Sequence, residues 1–230
     1  GDWSSDVCSS DLQVVGNGVD LVKFRPIPRD EARRSLGLAK DGPVLVSVGG
    51  LVERKGFHRV LELMPALIGK YPTLHYLIVG GPSPEGDMTA ALREQVRKLG
   101  LEQYVTFTGP LAPEQLHVPL SAADVFVLST RNEGWANVFL EAMACGLPVV
   151  TTAVGGNAEV VNSPGLGSVV PFGDAEKLRD AIDAAVSSEW DRDAIIRYAR
   201  DNTWDKRIEI LIGQFHRMLG MAAERSKRER

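Results

Sequence analysis

Six short apolar, β-branched runs recur along this chain, and the segments between them carry apolar residues at three-to-four spacing. The runs fall at 43–48 (PVLVSV), 74–79 (LHYLIV), 105–108, 125–129, 149–152 and 168–170. They are apolar on consecutive positions, as strands covered on both faces are. Strands alternating with helices predict a parallel sheet, because each helix carries the chain back to the same edge.

The first helical pattern places Phe57, Val60, Leu61, Met64, Leu67 and Ile68 on one face, with Pro65 inside it predicting a kink or a broken end. Further helices are predicted over 88–99, 113–122, 137–145 and 174–187. The alternation then stops, and 191–200 and 205–221 read as two successive helices. In the last, Trp204, Ile208, Leu211, Ile212, Phe215 and Leu219 form one apolar stripe that needs a surface to cover. No internal repeat or low-complexity linker interrupts the 230 residues. The expected fold is α/β: a Rossmann-like, doubly wound parallel sheet, one domain with a C-terminal helical tail.

Composition narrows the function classes. With 44% hydrophobic and 24% charged residues, the chain is neither collagen-like nor disordered nor a disulfide scaffold. No apolar run approaches the roughly 18–20 residues needed to span a bilayer. Residues 1–12, GDWSSDVCSSDL, have no helical or strand period and resemble the in-frame translation of a sequencing adapter. They are set apart as foreign, and the reading frame is expected to be truncated near Gln13. Without Asp2, Asp6 and Asp11 the net charge moves from −4 to −1, which leaves no nucleic-acid footprint. Cys8 leaves with that segment, so Cys145 has neither a disulfide partner nor a zinc set, and the compartment reads as cytoplasmic. The basic end, Arg225 to Arg230, is expected to be a solvated, frayed terminus, with contact to anionic lipid at the inner membrane face as the minor reading.

The segment from Ser129 to Thr152 carries the strongest chemical signal: strand, loop, helix, strand, with Glu133 in the loop and Glu141 inside the helix. Gly134 lets the loop backbone approach a ligand, and free N–H groups of Ala136, Asn137 and Val138 would open the helix. A helix N-terminus at the carboxyl end of a parallel strand suits phosphate. Glu141 could accept hydrogen bonds from two neighbouring hydroxyls, as on a ribose. Taken singly, Lys55 is a solvated turn, Glu133 a loop charge and Glu141 a helix-face ion-pair partner.

Glu-x7-Glu followed by AMACGLPVV resembles the signature of family 4 retaining glycosyltransferases of the GT-B class. The similarity extends through NGVD (Asn17–Asp20) with Phe24 and Pro26, VGGLVERKGF (Val48–Phe57), LIVGGP (Leu77–Pro82) and ADVFVLST (Ala123–Thr130), in the family's order. The resemblance implies the C-terminal, donor-binding half of such an enzyme. It divides the chain into a foreign 1–12, an interdomain segment 13–28, a nucleotide-sugar-binding domain 29–202, and a crossover helix with a basic tail 203–230. It implies transfer of a sugar from an NDP-sugar to an unidentified acceptor, without a metal, in partnership with a missing N-terminal domain; the truncated chain alone is expected to be inactive.

By the same resemblance Lys55 neutralises the donor diphosphate, Glu133 lies beside the transferred sugar and Glu141 grips the ribose. Base contacts come from the loop at Gly109, Pro110 and Leu111, which holds no acidic side chain to read guanine and leans toward UDP. Two positions depart from the family. Gly50 stands where an arginine is usual, and Arg54 is the candidate replacement. Ala136 replaces a loop glycine, and its methyl either restricts the donor or marks a subgroup. A stand-alone nucleotide-binding module and a sugar-nucleotide epimerase are the alternatives. Asp191-Arg192-Asp193 imitates a metal motif but reads as an N-cap.

Overall fold

The computed structural model describes residues 15–228, with side chains through residue 219. In chain order the elements are α1 (Arg29–Ser35), β1 (Val44–Val48), α2 (Phe57–Lys70), β2 (His75–Val79), α3 (Thr89–Lys98), β3 (Val105–Gly109), α4 (His117–Ala122) and β4 (Val125–Leu128). They continue with α5 (Asn137–Ala144), β5 (Val149–Thr152), α6 (Asn157–Val160), β6 (Gly167–Val170), α7 (Ala175–Ser187), α8 (Arg192–Asp201) and α9 (Trp204–Arg228). The strands form one parallel sheet in the order β3-β2-β1-β4-β5-β6. This is the Rossmann-like order, and the direction of winding reverses between β1 and β4.

Period-two alternation on buried strands splits the core into two layers. Val44, Val46, Val48, Phe126 and Leu128 face α1, α4, α5 and α8, where they meet Ala32, Leu120, Phe139, Met143 and Ile195. Leu45, Tyr76, Ile78, Val125 and Val127 face α2, α3 and α7, against Phe57, Leu61, Met64, Leu92 and Ile182. Each large apolar side chain buried this way contributes roughly 1.5–3 kcal/mol. Two of the buried polar side chains are satisfied across elements: Ser47 Oγ meets Tyr76 Oη at 2.7 Å, and Arg33 donates to the carbonyls of Ala122, Lys40 and Gly42 and to Asp124.

Several expectations need correction. Helix α2 runs through Pro65 without a broken end, and Pro65 lies on its exposed face. The predicted helix 113–122 is a 3-10 turn at Pro113–Gln115 followed by the six-residue α4. The short helices α1 and α6 were not anticipated. The last helix extends to Arg228, into the stretch expected to be frayed, while residues 229–230 and the segment 1–12, expected to be foreign, lie outside the described residues. Asp191 caps α8, accepting from Ala194 N at 2.8 Å, as the N-cap reading requires.

The apolar stripe of α9 is uncovered. Trp204, Ile208, Leu211, Ile212, Phe215 and Leu219 range from 39% exposed (Leu211) to 68% (Leu219). Its start is anchored, where Val19 bridges Thr203, Val19 N donates to the Asn202 carbonyl at 3.0 Å, and the backbone at Gly18 lies against Trp204.

Candidate active site

The carboxyl ends of β1 and β4 sit side by side at the reversal of winding, so the loops that follow them open on one crevice. After β1 the chain makes a 3-10 turn, Glu53–Lys55, before α2. After β4 it runs through Asn132, Glu133 and Gly134 to α5. The two loops are stitched together by backbone: Arg131 N donates to the Arg54 carbonyl at 2.7 Å. Two glycines with positive φ permit this approach. A Cβ on Gly56 (φ 74°) would lie 1.8 Å from the Ser129 carbonyl oxygen, and one on Gly155 (φ 50°) would lie 1.6 Å from that of Glu133. Any side chain at either position would push the loop away. The loop after β5 also braces the site, with Gly156 N donating to the Gly134 carbonyl at 3.1 Å.

Glu133 is 8% exposed, and a buried carboxylate costs several kcal/mol unless it is paired. Its Oε1 is held by Lys55 Nζ at 2.5 Å, by Arg54 Nη1 at 3.2 Å, and has Thr130 Oγ1 at 3.2 Å. The structure therefore brings Lys55, Arg54 and Glu133 together, from segments 78 and 79 residues apart. Arg54 also donates to the Asn132 carbonyl at 3.1 Å and makes a two-pronged contact with Glu85, Nη2 to Oε1 at 2.6 Å and Nε to Oε2. That contact raises the Arg54 guanidinium and holds the Glu85 carboxyl below its ordinary range. Glu85 gave no signal in the sequence.

Glu141 is placed differently. It lies one turn into α5, mostly buried, and burial alone pushes its carboxyl up to about 7. Among the described residues no side chain or backbone group donates to it. At neutral pH it is a carboxylate poised between its two forms, and any donor that reaches it will favour the charged one.

The start of α5 departs from expectation in two respects. The Asn137 N–H is used by the Trp135 carbonyl at 3.1 Å, so it is not free, and its side chain accepts from Asn17 Nδ2 at 2.7 Å. The Ala136 methyl is buried in the apolar layer under α5, so it faces the core and does not narrow the ligand side. The side chain at Val138 is half-buried, and a Cβ on Gly134 would meet open space. Gly109 ends the edge strand β3, and its carbonyl accepts from Gly80 N at 3.0 Å, which links it to the loop after β2. Burial pushes the Cys145 thiol up to about 12, so it is protonated at neutral pH and inert as a nucleophile. Among the described residues no group of three or more His, Cys, Asp or Glu is arranged to hold a metal ion.

A protein-family model described as Glycosyl transferases group 1 matches residues 28–202, which include Arg54, Lys55, Glu85, Glu133 and Glu141. The chain belongs to the group 1 glycosyl transferase family. Within that family it is similar to the D-inositol 3-phosphate glycosyltransferase of Corynebacterium urealyticum, 34% identical over 229 residues, covering 95% of this chain and 54% of that protein. Among solved structures it is similar to sucrose-phosphate synthase from Thermosynechococcus elongatus (TM-score 0.73, 31% identity, 91% of this chain, 53% of that one). Anabaena HepE, solved in complex with UDP, matches with a TM-score of 0.73 at 25% identity over 86% of this chain and 56% of that one. The chain thus spans about half the length of each of these three proteins.

Proposed function

We propose that this chain is the donor-binding half of a retaining, family 4 glycosyltransferase of the GT-B class, which moves a sugar from a nucleoside diphosphate sugar to an acceptor without a metal. The observation that carries this reading is the meeting of Lys55, Arg54 and Glu133 at the reversal of winding between β1 and β4. Two cations there suit a leaving diphosphate, which gains negative charge as the glycosidic bond breaks. Lys55 has two further N–H donors beyond its bond to Glu133, and the N–H groups of Ala136 and Val138 at the α5 start add neutral ones. Asn137 contributes its N–H once the Trp135 carbonyl releases it. Glu141 takes the ribose hydroxyls, Glu133 stands beside the transferred sugar, and the Gly109 loop meets the base.

UDP is the favoured donor nucleotide, supported by the acid-free loop at Gly109 and by the UDP held by HepE. Residues 29–202 form the donor domain, and 13–28 with 203–230 form the connection to an N-terminal domain that holds the acceptor. The uncovered stripe on α9 supports this, as does a chain half the length of its relatives. The chain alone binds donor without transferring sugar. It works on the cytoplasmic side, with contact of its basic tail to anionic lipid as the minor reading; among the described residues no helix is long and apolar enough to cross a membrane.

Calorimetric titration with UDP, GDP and ADP in metal-free buffer tests the reading. UDP is expected to bind best, and Glu141→Ala to cost roughly 1.5–3 kcal/mol of UDP binding while leaving inorganic pyrophosphate unaffected. Equal losses for pyrophosphate would remove the ribose role, and no nucleotide binding would overturn the function.

A further inference from the structure

The guanidinium of Arg54 is nearly fully occupied by the protein. Four of its five N–H groups are engaged: two by Glu85, one by the Asn132 carbonyl and one by Glu133. A phosphate needs a two-donor fork, and the Nε–Nη2 edge that offers one is the edge that Glu85 fills. A carboxylate gripped side-on by arginine has the shape and charge of the phosphate oxygens it would yield to.

Glu85 is built to yield, and Glu133 is not. Glu133 is buried against two cations, while the Glu85 side chain is 51% exposed and, among the described residues, pairs with Arg54. Glu85 rides on a small turn after β2, closed by Ser83 N to the Gly86 carbonyl at 3.0 Å and Gly86 N to the Ser83 carbonyl at 2.9 Å. The turn lies against the end of β1, where a Cβ on Gly50 would come within 3.0 Å of Ser83 Cβ. Gly50 leaves room for this turn, and the turn delivers a carboxylate to the one arginine beside Lys55.

We propose that Glu85 holds, in the ligand-free protein, the fork of Arg54 that the donor's diphosphate takes, so that binding exchanges one two-pronged anion for another. This rests on the donor-site reading above and adds a selector to it. A nucleoside carries no anion to displace Glu85, whereas a diphosphate satisfies Arg54 and Lys55 together. Glu85 thus acts on phosphate recognition through Arg54, as a positioning residue.

Calorimetry on the full chain with UDP, inorganic pyrophosphate and uridine tests the exchange. Glu85→Gln removes the competing charge and should tighten UDP and pyrophosphate by roughly three- to tenfold, with uridine unchanged. In an Arg54→Ala background the same substitution should have no effect. Weaker or unchanged UDP binding by Glu85→Gln would show that Glu85 supports Arg54 or stays in place, and a gain that persists without Arg54 would reduce it to a distant charge. Either result overturns the exchange and leaves the donor site standing. Failure of the wild-type chain to bind any of UDP, GDP, ADP and pyrophosphate overturns the donor site, and the exchange with it.

Discussion

Two glutamates eight residues apart are solved in opposite ways. The loop carboxylate, Glu133, is buried and receives two cations from another segment, Lys55 and Arg54, with the Thr130 hydroxyl in reach. The helix carboxylate, Glu141, is mostly buried and receives none, so desolvation lifts it to about 7. The difference shows which group the fold completes and which it leaves open. A carboxylate with its own cations is held in place before any ligand arrives. One left without donors in a part-buried site raises the energy of the folded chain, and a ligand bringing two hydroxyls can recover that energy.

The largest expected effect comes from making Glu133 resemble Glu141. Lys55→Met removes the closest cation and leaves Arg54 as the remaining charge partner. Breaking a buried pair usually costs about 3–5 kcal/mol; with Arg54 still present, about 2–3 kcal/mol is expected in urea unfolding at pH 7. Adding Glu133→Gln should return most of the loss, since the uncompensated charge then disappears. A loss below about 0.5 kcal/mol in Lys55→Met would show that Glu133 is solvated well enough to need no partner.

Next in size is the pH dependence of Glu141. Its folded value, about 7, lies above the ordinary carboxylate value of 4.5. Between these the folded chain holds a proton that the unfolded chain has lost, so stability falls as pH rises through the window. Wild type should lose about 2–3 kcal/mol between pH 4.5 and 8 relative to Glu141→Gln, which lacks the titration. Equal slopes in the two proteins would place Glu141 in water and end the contrast with Glu133. UDP sharpens it further: ribose hydroxyls favour the charged form, so binding near pH 7 should release protons. That release, read from the dependence of the binding enthalpy on buffer ionisation, should vanish in Glu141→Gln.

The contrast between the two glutamates was only half legible in the sequence. Strands were read to within a residue or two because a sheet covered on both faces writes itself as runs of apolar residues, seen in full at Val149–Thr152. Motif order put Lys55 and Glu133 in one site and Glu141 in a helix, but nothing in it paired Lys55 with Glu133. Helices α1 and α6 escaped because seven and four residues cannot display a period, and neither start has a side-chain cap. Glu85 escaped because its partner Arg54 is 31 residues away and joins it through a turn whose path no local pattern records. The Ala136 methyl was misplaced because a loop position gives no inside or outside until its neighbours are folded. The backbone contacts of Gly56 and Gly155 had a visible signal, a lone glycine before a helix and a glycine pair after a strand, but no visible partner.

The smallest expected effect asks whether charge alone holds Glu133. Thr130 Oγ1 has a single proton and three acceptors in reach: the Arg54 carbonyl at 3.0 Å, the Asn132 carbonyl at 3.1 Å and Glu133 Oε1 at 3.2 Å. Glu133 Oε1 already takes two cations, and the Arg54 carbonyl is nearest, so the proton belongs on the backbone. Thr130→Val keeps the side-chain shape, removes that bond and should cost about 1 kcal/mol in urea unfolding. If the bond serves the loop backbone, the same cost should reappear when Glu133→Gln is already present, within the few tenths that separate independent sites. A cost that shrinks by half or more in that background would put the proton on Glu133. The buried carboxylate would then depend on a neutral donor as well as its cations, and the loop glutamate would differ from Glu141 in hydrogen bonding as much as in charge.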